Sequence, residues 1–105
     1  MNKKLRLSKR RVLRRMVNLL SESDDYTQDD IDYCEELLDQ FFKELKECIK
    51  NNKQGEIPEI TKLTVYDLNQ LNESCDGALI SEDQGNAICE LMIEATNLAG
   101  FVGDM

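Results

Sequence analysis

The sequence contains no histidine and no tryptophan, and it has one proline and five glycines among 105 residues. Each scarcity excludes something. Without histidine there is no Ser-His or Cys-His dyad to activate a nucleophile. A zinc site loses one of its usual ligand types, and none of the four cysteines, at 34, 48, 75 and 89, belongs to a CxxC pair. Three tyrosines and three phenylalanines with so few turn-formers do not suit a many-stranded β fold, which needs a turn roughly every ten residues. No segment approaches the ~20 apolar residues of a membrane-spanning helix. The apolar run from Val17 to Leu20 is interrupted by Asn18, so no secretory leader is expected. Neither GxxxxGK[ST] nor GxGxxG is present to cradle a phosphate.

Acids are also missing, but only at one end. The first fifteen residues hold eight bases and no acid, whereas the remaining ninety hold all 21 acids and five bases, a formal −16. The whole chain carries −8. The simplest reading is that the basic arm neutralises its own body. On a helix, Leu13, Met16, Val17 and Leu20 share one face, with Arg10, Arg11, Arg14 and Asn18 largely opposite. That pattern suits a first bundle helix that carries Arg10, Arg11, Arg14 and Arg15 and packs through its apolar face, with some of those arginines facing acids of the second. It also suits a basic helix lying on anionic lipid. Residues 1–7 have no such stripe and are expected to be a flexible basic lead-in. Residues 8–105 are expected to form a single helical domain.

Four helices are legible. The first runs from about Ser8 to Leu20. The second follows Thr27, where Asp30 stands three residues on as in a capping box. Its apolar residues, Ile31, Cys34, Leu38, Phe41, Leu45 and Cys48, are spaced 3, 4, 3, 4, 3, and Leu37, Phe42 and Ile49 widen the stripe. Asp29 and Asp30 at its start and Lys43, Lys46 and Lys50 toward its end match the helix dipole. Asn51, Asn52 and Gly55 are stop signals. The third helix follows Pro58 and carries Ile60, Leu63, Leu68, Leu71 and Cys75, with Gly77 as a stop. The fourth opens with Ser81 and Gln84 as a capping box and carries Ile88, Leu91, Met92, Ala95 and Leu98. Gly100 reads as its left-handed cap, with Phe101 folding back. Gly85 either marks a close helix contact or is tolerated at a cost of ~1 kcal/mol. The fold class predicted is all-α, a small four-helix bundle or an orthogonal helical array.

Cys34 and Cys48, and likewise Cys75 and Cys89, are 14 residues apart, a spacing that within one helix, as for Cys34 and Cys48, is ~21 Å and out of bonding reach. Near apolar stripes they read as small hydrophobes, buried as free thiols. Carboxylates abound, but none is isolated in an apolar setting as general acid-base work requires. Counting from Asp24, the ligand positions of a calcium loop fall on Gln28, Asp30, Asp32 and Glu35. The third position is Tyr26, however, and the sixth, where the sharp turn needs Gly, is Asp29. No enzyme, metal or cofactor is expected.

Surface is what remains. The run SESDDYTQDDIDYCEELLD has nine acids, no base and two tyrosines. Asp24, Asp25, Tyr26, Asp29, Asp30, Asp32, Tyr33 and Glu36 are the candidate partner-binding residues, because acidic charge accelerates encounter with a cationic protein and Tyr anchors interfaces. The order of RVLRRM, IDYCEELL, ITKLTVYDLNQLNES and ISEDQGNAICELMIEATNLAGF resembles a family of small, helical, uncharacterised bacterial proteins, a domain of unknown function. The resemblance spans about residues 11 to 101, and its most specific part is Thr64–Leu71 with the later ICE and AGF. It implies a helical fold and a bacterial cytoplasmic origin, and no function or site. Members often carry a His near the Thr of the third helix. Here Lys62, Leu63 and Val65 surround Thr64, so no activity resting on that His is expected.

Two functions follow as expectations. The first is a non-enzymatic protein-interaction module in the cytoplasm, in its sharpest form an immunity-type inhibitor that blocks a cationic partner. The alternative is a nucleic-acid-binding protein using the basic arm. The −16 body counts against it, since it would repel phosphates.

Overall fold

A computed structural model of the chain describes residues 3–22 and 24–98. Four α-helices follow one another: α1 (Lys3–Leu19), α2 (Gln28–Lys50), α3 (Ile57–Ser74) and α4 (Glu82–Leu98). Single 3-10 turns, Leu20–Glu22 and Gln54–Glu56, lead out of α1 and into α3. No strand occurs among the described residues. The protein is an all-α helical bundle.

The second helix forms as its spacing predicts. Ile31, Cys34, Leu38, Phe41, Leu45 and Cys48 are all buried, with Phe42 beside them. At its start the Thr27 N–H donates to Asp30 Oδ2 at 2.9 Å and the Thr27 hydroxyl donates to the same atom at 3.3 Å. At its end the Lys53 N–H reaches the Cys48 carbonyl at 2.8 Å and the Asn52 N–H reaches that of Ile49 at 3.3 Å. This is a Schellman closure with Asn52 in the left-handed region, φ 56°. The third helix closes identically: Gly77 N–H to Asn72 at 2.8 Å, Asp76 N–H to Glu73 at 3.0 Å, and Asp76 at φ 55°. Asp76 and Gly77, the glycine that signals the stop, both have positive φ there, 55° and 76°.

The connections are short, and they fold the helices back antiparallel. Lys4 near the start of α1 meets Glu94 near the end of α4. Lys9 meets Glu35 and Asp39 across the α1–α2 seam. α2 packs against α1, α3 and α4, and α1 also packs against α4. The core is built on α2, with Leu5, Val12, Leu13 and Met16 from α1, Ile57, Leu68 and Leu71 from α3, and Ile88, Leu91, Met92 and Ala95 from α4. Leu79, in the loop before α4, is fully buried as well. Asn72 fixes that loop in two places, accepting the Ile80 N–H at 2.8 Å and donating to its carbonyl at 3.1 Å.

Several expectations are corrected. The first helix begins at Lys3 rather than near Ser8, and Leu5 is in the core, so the lead-in expected over residues 1–7 is helical from Lys3 onward. Residues 1 and 2, and the cap and fold-back expected at Gly100 and Phe101, lie outside the described residues. Val17, Ile49, Leu63 and Leu98 were each expected in a stripe and are exposed. Val17, Ile49 and Leu63 each adjoin a residue that fills the place, Met16, Cys48 and Thr64, and Leu98 lies one turn beyond Ala95, the last buried residue of its stripe. Gly85 marks no tight contact, because a methyl there would meet Ile80 Cγ2 at an ordinary 3.7 Å.

Phe41 has no accessible surface and sits mid-stripe. Phe41→Ala is expected to cost ~3–5 kcal/mol, most of the stability of a small domain, measured by urea unfolding. A loss under ~1 kcal/mol would contradict the packing.

Candidate functional site

The antiparallel arrangement collects acids at one end of the bundle. The end of α1, the start of α2, the end of α3 and the start of α4 converge there. The chain has no Lys or Arg between Arg15 and Lys43, nor after Lys62. The negative charge of this end is therefore opposed by few bases. Of the candidate residues, Asp24, Asp25, Asp29, Asp32, Tyr33 and Glu36 are exposed. Tyr33 is 48% accessible on the outer face of α2, with Asp29 one turn before it and Glu36 one turn after. Gln28 Nε2 donates to Asp32 at 3.0 Å. Sequence reasoning missed Glu73, Asp76, Glu82 and Asp83, which lie at the same end. The signal for them was the lack of bases after Lys62, but only the topology brings them beside α2.

Two of the candidates have other duties. Tyr26 is 4% accessible, and its hydroxyl donates to the Met16 carbonyl at 2.8 Å, tying the α1–α2 loop to the first helix. Burial, with the charges of Cys75 and Glu22, raises its pKa. It is a core strut and presents no anchor to a partner. Asp30 is half-buried and committed to the start of α2 through Thr27.

The basic arm is arranged differently from the expectation. Lys9, with an 11% accessible side chain, bridges Asp39 at 2.6 Å and Glu35 at 3.2 Å. Burial works against its charge. The hydrogen bonds and charges of Asp39 and Glu35 outweigh that, and its pKa lies above the usual 10.5. The bridge thus stabilises the fold at neutral pH and fades as pH rises through the raised value. Lys4 pairs with Glu94 at 2.9 Å. Among the described residues, Arg10, Arg11, Arg14 and Arg15 are exposed and make no ion pair; the acids of α2 are met by Lys9 instead. Arg11 and Arg15 line a groove with Glu90 and Glu94 of α4.

Where α1 ends against α4, Arg15, Asn18, Leu19, Ser81, Asp83 and Gln84 surround an open cleft. Ser81 caps α4, accepting the Gln84 N–H at 3.3 Å. The reciprocal half of the expected capping box is not made: Gln84 is buried, and its Oε1 has no hydrogen-bond partner. Cys34, Cys48 and Cys75 are buried free thiols, while Cys89 is exposed, against the expectation that all four are buried. Burial, with Glu35 adding, pushes the Cys34 thiol up to about 12. Among the described residues no three His, Cys, Asp or Glu side chains converge as metal ligands, and no helix is long and apolar enough to cross a membrane.

No family model matches the chain, and no curated protein or solved structure shows significant similarity to it.

Only thiolate reacts with iodoacetamide. At about pH 8 the native protein is expected to be modified at Cys89 alone, and the denatured protein at all four positions, as read by peptide mass spectrometry. Modification of native Cys34 at a rate comparable to Cys89 would contradict the burial of the α2 stripe.

Proposed function

We propose that the protein is a non-enzymatic interaction module that docks a cationic protein partner on the acidic end of its bundle. In its sharpest form it is an immunity-type inhibitor that covers the working surface of a basic protein. The observation that carries this reading is Tyr33, half-exposed on a rigid helix between Asp29 and Glu36, with Asp24, Asp25 and Asp32 nearby. A large aromatic ring with a polar tip is a favoured interface anchor, and its side chain loses little freedom on docking. The acids around it raise the rate of encounter with a basic surface without having to be buried. Helix α2 holds Asp29, Asp32, Tyr33 and Glu36 in fixed register, so no ordering of their backbone is required on binding. Free thiols at four positions suit a reducing compartment, and the bacterial cytoplasm is the proposed setting.

The test is affinity capture from the native cell, followed by binding kinetics on the captured protein. That partner is expected to be basic. Asp29→Lys with Asp32→Lys and Glu36→Lys is expected to slow its association by about 10-fold or more at low salt. Tyr33→Ala is expected to speed its dissociation by about 10-fold. A partner that binds wild type and the charge-reversed variant equally would refute the reading.

A further inference from the structure

Lysine and arginine divide the work on α1. Lys4 and Lys9 hold Glu94, Glu35 and Asp39 across the two seams, Lys9 largely buried and Lys4 exposed. Arg6, Arg10 and Arg14 turn outward at four-residue steps, ~6 Å apart along the helix, exposed and without an ion pair among the described residues. There is no acid anywhere in α1. We propose that this arginine row binds the phosphate backbone of a nucleic acid, without reading its sequence. The surface is the outer side of α1, and neither reading needs the other.

The residue type fits the ligand. A guanidinium is a planar fork that grips phosphate oxygens in pairs, and it gives up its hydration more readily than an ammonium. The geometry answers the objection raised by the net charge. Two acids of α2 that reach α1, Glu35 and Asp39, are already paired with Lys9. More distant acids are attenuated by salt, with a screening length of about 8 Å at physiological ionic strength. A strand or duplex is a narrow, linear polyanion and can follow one helix. An anionic membrane fits less well. Basic helices bind lipid by sinking their apolar face, and that face of α1, through Leu5, Val12, Leu13 and Met16, is inside the bundle. A flat surface laid against α1 would also meet Glu90 of α4, which lines a groove with Arg11 and Arg15.

The test is fluorescence anisotropy of a fluorescein-labelled random-sequence DNA duplex titrated with the full chain at about 50 mM salt. Saturable binding is expected with Kd on the order of 10⁻⁵ M, falling with salt at a log–log slope of about −3, as three or four phosphate contacts require. Arg10→Gln with Arg14→Gln is expected to weaken it by about ten-fold or more, at an unchanged melting temperature. Arg10→Lys with Arg14→Lys keeps both charges and is expected to keep the salt slope while losing part of the affinity. Absence of saturable binding at this salt would overturn the proposal. So would a Gln variant that binds as well as wild type, or binding to phosphatidylserine-containing vesicles without binding to the duplex.

Discussion

Cys34, Leu38 and Phe41 have no accessible surface, and the helix that carries them packs against each of the other three. Burial of that stripe is the constraint that places everything else. A fully buried Leu or Phe side chain contributes ~1.5–3 kcal/mol, against a net stability of ~5–15 kcal/mol for a domain, so a few such residues equal the whole margin. The remaining helices meet the stripe with apolar faces of their own. The short links, closed at Asn52 and Asp76 and pinned by Asn72, leave the chain little choice but to return antiparallel.

Charge works on a smaller scale. An exposed ion pair such as Lys4–Glu94 contributes ~0–1 kcal/mol, and the better-shielded Lys9 still ends on half-exposed carboxylates, so these bridges do not by themselves hold α1 in place. Its apolar face does, with Met16 inaccessible and Tyr26 bonded to the Met16 carbonyl. Charge instead decides what each surface offers. The antiparallel topology brings together acids that are far apart in the chain, and the two paired lysines leave the arginines uncommitted. An acidic chain with a basic first helix therefore becomes a body with two distinct faces, one acidic end around Tyr33 and one basic row along α1.

Helix α2 could be read from Thr27 to Asn51 because three independent signals agree there: the unbroken 3-4 spacing, Asp30 answering Thr27, and the paired asparagines. Elsewhere one signal had to serve. Leu5 is followed among the bases only by Leu7, two residues on and exposed, which marks no helical stripe, so the start of α1 at Lys3 was not legible. Val17, Ile49, Leu63 and Leu98 are apolar but marginal to their faces, and spacing alone does not say which side of a margin packs. Tyr26 and Leu79 lie in loops, where periodicity carries no information, and both are core. Of the acidic surface, the α2 portion was legible as a run. The portion from α3 and α4 depends on long-range contacts that a linear pattern does not contain. The solvent-facing arginines were misassigned for the same reason: composition shows that charges balance, and only geometry shows that Lys9 does the balancing.

The central claim is that α1 is part of the cooperative core and not a tether. Native-state hydrogen exchange decides it. If the claim holds, the amides of residues 9–16 exchange with the same free energy as those of residues 34–45, both equal to the free energy of global unfolding. Exchange of the α1 amides several kcal/mol more easily than those of α2 would show an arm resting on a core that is complete without it.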